Sequence, residues 1–390
     1  MVKTMLAACL LIAAAFATTG CWSSFELIER GFVQAAAIDL TEDGNVRLIS
    51  HVYKPGGGTT SLKSDIGPSY VDLTTTGSTV FDAVRKVPLQ LGRKLQWSHM
   101  RILLIGEEVA RSENIGNVLD FFYRDHEPRG TIDVILTKGQ AGDYLTLRPM
   151  IESTMGQQLL RVEEIGTLES GRTINVTVTK LKIRSSAEVP TEMLPLLAFK
   201  NGGKNVVVSG LATVDLAKGK LTGTIPLANV QSALMLSGKF KRGIIDVPCG
   251  KERKPANSGF DSFEVGSAKA KLTPVVAGDA LRVGFRLELE GSAGELVCSK
   301  ADTKEEVRQF AKRVEQTVER QIRDTVMLLQ SERSDAIGVG TKVYRQHSRV
   351  WKRWKPDWER RFAECEFDIS VKAIVKSTGT TIGKPFSESK

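Results

Sequence analysis

Apolar segments in the first half of the chain predict strands that alternate with helices. Four of them have strand length and are bounded by turn residues: 31–39, 46–53, 101–105 and 131–137. A helix is expected to begin near Ser78, whose hydroxyl can cap its free N–H groups, and another at Glu107. Strands that alternate with helices are typical of a mixed α/β fold.

The second half is predicted to combine strands with one long helix. Thr303 and Glu306 form a capping box, and apolar positions recur every three or four residues from Val307 to Leu329. This pattern predicts a helix over 303–330. Alternation predicts strands at 173–179, 281–289 and 367–373, and an apolar run predicts another at 206–214. The whole chain is therefore expected to be multidomain, α+β / mixed α/β, with helices packed on mixed sheets.

The sequence KNGGKN, which begins at Lys200, interrupts the apolar pattern and predicts a linker. It divides the chain into an N-terminal domain, 21–200, and a C-terminal domain, 205–380. A second unpatterned stretch, 248–260, is charged and rich in Pro and Gly, so it predicts an exposed loop.

The N-terminus has the features of an export signal. Lys3 precedes twelve apolar residues, Leu6 to Ala17, a run too short to span a bilayer, which needs roughly 20 residues. The small residues before Cys21 are similar to a lipobox, although Thr18 stands where Leu is usual. We expect 1–20 to be a lipoprotein signal peptide and Cys21 to carry a diacylglycerol, whose two acyl chains suffice for stable attachment to the membrane.

The charge and the cysteine content limit which partners, disulfides and metal sites are expected. The net charge of +9 suits contact with anionic headgroups, and nucleic acid is not an expected partner of an exported lipoprotein. Cys249, Cys298 and Cys365 remain after processing and show no CxxC pair. The sequence therefore indicates neither a disulfide framework nor a metal site, and pairing of Cys249 with Cys298 is considered but not favoured.

No motif for catalysis or cofactor binding is found. The sequence lacks HExxH, GxSxG, a phosphate-binding loop and GxGxxG, and its four histidines have no metal-ligand spacing. A non-enzymatic protein without a cofactor is expected.

The segment Arg349 to Phe362 combines three of the five tryptophans with many charged residues. Trp and Arg are enriched at interface hot spots, so Trp351, Trp354, Trp358 and Arg353 are candidates for a partner surface. Core packing of the tryptophans is the alternative. Of the three, Trp354 is expected to be exposed, because it lies about 300° around a helix from Trp351 and has Lys or Arg on either side.

Several blocks together resemble the Ger(x)C family of spore germination lipoproteins. The blocks are the start at Cys21-Trp22, the segments 74–110 and 119–129, the segment GLATVDLAKGKLTGTI at 210–225, and the C-terminal stretch 335–381. Their order and spacing carry the similarity over nearly the whole mature chain. Ser23-Ser24 departs from the acidic residue that often follows the Trp in this family.

The resemblance implies a non-enzymatic C subunit of a nutrient germinant receptor. Such a subunit would be lipid-anchored on the outer face of the spore's inner membrane and act with a multi-spanning A subunit and a transporter-like B subunit. It implies a mixed α/β fold with two sequence domains and no catalytic residues.

A lipid-anchored solute-binding protein that delivers a nutrient to a transporter is the alternative function. Such proteins normally show repeated βα units around a hinge, whereas this sequence predicts a long helix and a strand at its end. A cell-wall hydrolase is disfavoured, because no paired-carboxylate or metal motif is found.

Overall fold

The computed structural model describes residues 29–54, 68–249 and 259–379, together with residues 2, 4–6 and 26. Cys21, most of the predicted signal peptide and most of the predicted loop at 248–260 lie outside the described residues. Within the described part of the chain, no helix is long and apolar enough to cross a membrane.

The larger of two sheets has nine strands and mixed directions. The strands are β1 Arg30–Leu40, β2 Val46–Tyr53, β3 Tyr70–Gly77, β4 Lys94–Gln96, β5 Ile102–Gly106, β6 Asp133–Thr137, β7 Thr191–Lys200, β8 Asn205–Asp215 and β9 Lys220–Pro226. Their order is β3-β2-β1-β5-β6-β7-β8-β9, and the short β4 pairs with the start of β1. The strands β1, β5, β6 and β7 run parallel, while antiparallel hairpins form both edges.

Helices cover both faces of this sheet. They are α1 Val80–Lys86, α2 Pro88–Leu91, α3 Glu107–Ser112, α4 Ile115–Arg124, α5 Gly142–Leu145, α6 Met155–Ile165 and α7 Val178–Ser185. Successive residues of β1 point to opposite faces. Ala36 and Ile38 share an apolar cluster with residues of α1, α3 and α4, whereas Ala35 and Ala37 share another with residues of α5 and α6. Burial on both faces explains why the central strands are continuously apolar.

The second sheet has four strands: β10 Gly243–Pro248, β11 Phe260–Ala277, β12 Ala280–Ala293 and β13 Glu366–Ser377, in that order. Its helices are α8 Leu227–Leu236, α9 Lys304–Ser331, α10 Val339–Gln346, α11 Ser348–Trp354 and α12 Trp358–Glu364. The two sheets share a continuous core, because α8 contacts β8 and β9 of the first sheet and β11 of the second.

The long helix is confirmed with its predicted cap. The Thr303 hydroxyl accepts from the Glu306 N–H at 3.2 Å, and the Glu306 carboxylate accepts from the Thr303 N–H at 3.0 Å. Phe310, Val314 and Val318 are buried, so the predicted apolar stripe is the face that packs on the core. The hairpin of β1 and β2 and the strands β12 and β13 are likewise confirmed.

The linker predicted at Lys200 is wrong. Residues 201–204 form the turn that joins β7 to β8, which pair antiparallel within the first sheet. Asn201, Gly202 and Gly203 have φ values of 55°, 65° and 89°. These left-handed conformations favour Gly and Asn, so the polar, glycine-rich composition serves a hairpin turn.

The strand predicted at 173–179 is also wrong. Only Thr177 forms a bridge, to Asp133, and the helix α7 begins one residue later, at Val178. Ile174, Val176 and Val178 are buried as the alternation indicates. An extended segment that leads into a helix buries the same alternating positions as a strand does, although it does not pair with a neighbour along its length.

Cys249 and Cys298 form a disulfide, contrary to the expectation from the sequence. Their Cα atoms lie 5.7 Å apart. The bond joins the end of β10 to the segment after β12, because β10 and β12 both pair with β11. Their separation of 49 residues gives no local signal of this proximity. Cys365 is a free, buried cysteine.

Candidate functional site

The three tryptophans of the predicted partner surface, Arg349–Phe362, belong to the core. Trp351, Trp354 and Trp358 are 2%, 0% and 6% exposed, so the expectation that Trp354 is exposed is wrong. The helix α11 ends at Trp354, and a 3₁₀ turn, Lys355–Asp357, leads into α12. Trp351 and Trp354 both belong to α11, so the angle between them stands, and Trp354 is buried because Asp279 and Arg361 cover that side of the helix.

Each indole N–H donates to a carboxylate outside the segment. Trp351 binds Glu188 at 3.0 Å, Trp354 binds Asp279 at 3.0 Å and Trp358 binds Asp335 at 3.1 Å. Glu188 precedes β7 of the first sheet, whereas Asp279 lies in the turn between β11 and β12 of the second. The segment therefore connects both sheets, and its tryptophans stabilise the body of the molecule.

Asp335 is the most deeply placed of these carboxylates. It accepts the backbone N–H groups of Gly338, Val339 and Gly340 at 2.7–2.8 Å. Burial raises its pKa to about 6, and these hydrogen bonds, with that of Trp358, oppose the shift. The carboxylate orders the loop before α10 while it positions Trp358.

Arg353 is the exposed member of the predicted set. Its side chain is 64% exposed, and its guanidinium lies 3.8 Å from Asp279. The Arg361 guanidinium stacks 4.8 Å above the Trp354 ring, so it covers the indole instead of offering it to a partner. A partner contact at Arg353 stays a prediction.

A groove on the first domain is a cavity that sequence reasoning missed. Its volume is about 690 Å³. The turn after β1, the start of α1 and the length of α4 enclose it, and its lining residues include Leu40, Val46, Phe81, Val118 and Phe121. Phe81 is 46% exposed, and its ring lies 5.8 Å from that of Phe121 with a tilt of 39° between them. The sequence signal was Phe81 itself, an apolar residue on the solvent side of α1.

The rim of this groove is mainly acidic. Glu113, Asp120 and Asp125 line it, and Arg124 pairs with Asp120 at 2.7 Å. The lining contains neither His nor Cys. An apolar floor with carboxylates at the edge suits the binding of a small amphipathic molecule or peptide with a positive charge.

Cys249, Cys298 and Asp261 form the metal-ligand cluster found among the described residues. The two sulfur atoms are bonded to each other. The Asp261 carboxylate accepts the backbone N–H groups of Val297 and Cys298 at 2.7 and 2.9 Å and pairs with Arg313. In the oxidised protein these contacts order the segment after β12, and Asp261 alone is not a metal site.

Two family models match consecutive parts of the chain. "Spore germination protein N-terminal domain" matches residues 23–198, and "Spore germination B3/GerAC like, C-terminal" matches residues 209–379. The two matches meet at the hairpin of β7 and β8.

Proteins of Bacillus subtilis (strain 168) are similar over almost the full length. Spore germination protein KC is 23% identical over 401 residues, which cover 97% of both chains. Spore germination protein YndF is 25% identical over 412 residues, which cover 96% of both. The crystal structure of the GerBC protein superposes with a TM-score of 0.59 at 18% identity and covers 87% of this chain and 96% of that one. This last likeness shows the fold.

Proposed function

Because this chain belongs to the Ger(x)C family of spore germination proteins, we propose that it is the lipid-anchored C subunit of a nutrient germinant receptor. In this proposal it lies on the outer face of the spore's inner membrane and acts, without catalysis, beside a multi-spanning A subunit and a transporter-like B subunit. The observation that carries the proposal is the match of both family models, in order, across 23–379.

The disulfide supports a location outside the cytoplasm. Disulfides such as Cys249–Cys298 persist in oxidising compartments and are rare in the reducing cytosol. This agrees with the signal-like sequence before Cys21. Two independent features, one near the N-terminus and one in the second sheet, therefore favour export.

A non-enzymatic role is supported by the chemistry of the groove. Its carboxylates lie at an exposed rim, and its lining offers no thiol or imidazole for nucleophilic or base catalysis. The buried carboxylate of Asp335 is occupied by backbone N–H groups and Trp358.

The lipid anchor is tested by labelled fatty acid in cells that express the full chain. Cys21→Ala is expected to abolish incorporation, while Cys9→Ala, inside the predicted signal, retains it. Fractionation supplements this test, although an unprocessed signal segment would also hold the chain at the membrane. Label that persists in Cys21→Ala would contradict the anchor.

Receptor membership is tested by purification of the tagged chain from spore membranes. A multi-spanning protein and a transporter-like protein should co-purify in fixed ratio. Deletion of the gene should abolish the germination response to at least one nutrient, and the wild-type gene should restore it. Purification of the chain alone from intact membranes, with unchanged germination in the deletion strain, would refute the proposed role.

The groove is the observation that favours the solute-binding alternative. Calorimetry of the chain with amino acids and sugars separates the two functions. Saturable heat with the wild type that disappears in Phe81→Ala would support nutrient capture in the groove. The matched control is Met327→Ala, which removes an exposed apolar side chain on α9.

A further inference from the structure

The segment before β1 restricts where a lipid on Cys21 can be. Glu29, which directly precedes β1, comes eight positions after Cys21. Even a fully extended chain spans only about 3.5 Å per residue, so the lipidated residue lies within roughly 28 Å of Glu29. The start of β1 is therefore held near the bilayer in any orientation of the molecule.

Strand pairing shows which other residues share this end of the sheet. Phe32 of β1 is in register with Tyr53, the last residue of β2, and Tyr53 is in register with Tyr70, the first residue of β3. The short β4 also pairs with β1 at Arg30–Phe32. We call this end of the sheet the entry end.

Three of the most exposed apolar side chains in the described structure lie beside the entry end. Leu89, Met150 and Ile151 are 85%, 68% and 90% exposed. Exposed apolar groups clustered at one place commonly mark an interaction surface, whereas scattered ones need no explanation.

Contacts of neighbouring residues place the segments that carry these side chains beside the strand ends. Leu89 belongs to α2, in which Leu91 lies so close to Gly31 that a Cβ there would be 2.8 Å from it. On the opposite face, the Tyr70 hydroxyl donates to the carbonyl of Leu147 at 3.3 Å, three residues before Met150. The two segments that carry the exposed apolar side chains thus flank the strand ends from both faces.

Charges at the entry end are mixed. Lys54, Arg93 and Arg148 are exposed and form no ion pair within the described residues, while Glu29 and Glu152 contribute carboxylates at the same end. Net charge alone therefore does not define this surface, and the apolar side chains must supply most of its preference for lipid.

We propose that the entry end docks on the bilayer, with Leu89, Met150 and Ile151 inserted among the lipid headgroups. The proposal rests on the lipid anchor at Cys21. Once the tether holds the entry end within reach, insertion of apolar side chains orients the body, because removal of apolar surface from water is favourable. The groove on the first domain would then face away from the lipid, since it lies at the turn that ends β1.

Quenching by lipids that carry a nitroxide tests the docked orientation. The full chain, purified with its lipid and reconstituted in phosphatidylglycerol vesicles, is labelled at Ile151→Cys or, as control, at Met327→Cys on α9. The native cysteines are bonded, buried or lipidated, so the label reacts at the new thiol. We expect several-fold stronger quenching at 151 than at 327. Equal, weak quenching of an anchored chain would overturn docking and leave the anchor intact.

A second arm does not depend on the anchor. The mature chain with Cys21→Ala is sedimented with the same vesicles, with and without Leu89→Ser, Met150→Ser and Ile151→Ser together. We expect the triple substitution to weaken binding about tenfold or more, and Met327→Ser to leave it unchanged. Equal binding of both chains overturns the proposal. Dimerisation in solution that buries residue 151 would assign the entry end to a second copy and overturn it as well.

Discussion

Trp358 shows how a residue that suggested an interface serves the core. Its indole lies 5.0 Å from that of Trp351, and its N–H is held by the buried Asp335. The composition of the segment could not reveal this, because Trp is equally suited to an interface and to a core that offers its N–H an acceptor. The sequence does not show that Asp335, which is 23 residues away, lies beside Trp358 in the fold.

Trp358→Ala is expected to lower the free energy of unfolding by about 3–5 kcal/mol, the usual cost of deleting a buried aromatic ring. Trp358→Phe keeps most of the volume but removes the donor to Asp335, which should cost about 1–3 kcal/mol. Urea denaturation measures both. Arg353→Ala is the matched control, because an exposed side chain should change stability by no more than about 0.5 kcal/mol. Equal midpoints for Trp358→Ala and the wild type would show that the ring is not packed.

Glu163 predicts a pH dependence of stability. Burial, followed by the negative charge of Asp133, raises its pKa well above the ordinary value of 4.5. The folded chain therefore keeps a proton that the unfolded chain loses above about pH 4.5, so this group destabilises the fold increasingly as pH rises from there toward the raised pKa.

Glu163→Gln mimics the protonated acid and should remove this effect. At about pH 8 the variant is expected to be more stable than the wild type by about 1.4 kcal/mol for each unit of the pKa shift below that pH. At about pH 4 the two should agree. Urea titrations at both pH values measure the difference, and Glu169→Gln, which changes an exposed carboxylate in the turn after α6, is the control. A constant difference at both pH values would show that Glu163 is not protonated in the fold.

At the scale of elements, hydrophobic periodicity predicted what depends on local sequence. The stripe from Phe310 to Leu329 and the cap at Thr303 specify α9 without any knowledge of its partners. The errors arise where two structures share one local pattern. Residues 201–203 have the composition of both a linker and a turn, and the register of β7 with β8 decides between them.

The disulfide is the element-scale contact that no pattern revealed, because β11 brings its two cysteines together. Loss of Cys249–Cys298 through Cys249→Ser with Cys298→Ser is expected to destabilise the chain by up to about 4 kcal/mol, from the entropy of a closed loop of this length. Chemical denaturation with and without dithiothreitol measures the effect. The reductant should lower the midpoint of the wild type and leave the double variant unchanged. An unaltered wild-type midpoint under full reduction would mean that the bond does not restrict the unfolded chain.

At the scale of the whole molecule, the fold class was predicted correctly, and the link between the halves was not. One family model ends and the next begins at the hairpin of β7 and β8, where the composition also changes, yet the first sheet continues across this hairpin. The helix α8 then joins the two sheets in one apolar core. The groove also depends on this scale, because its walls come from elements that are distant in sequence and meet only in the assembled sheet.

The continuity of the sheet predicts how fragments behave. A fragment that ends at Lys200 keeps β7 but loses β8 and β9, so the apolar residues of β7, such as Leu194 and Leu196, lose their neighbours, and the strand edge is left unpaired. A fragment that ends at Pro226 retains all nine strands. We expect the shorter fragment to aggregate or unfold without cooperativity and the longer one to unfold with a sigmoidal urea transition, measured by circular dichroism and size-exclusion chromatography. A cooperative, monomeric fragment 21–200 would show that the sequence boundary is also a structural one, and that β8 and β9 merely extend a domain that folds without them.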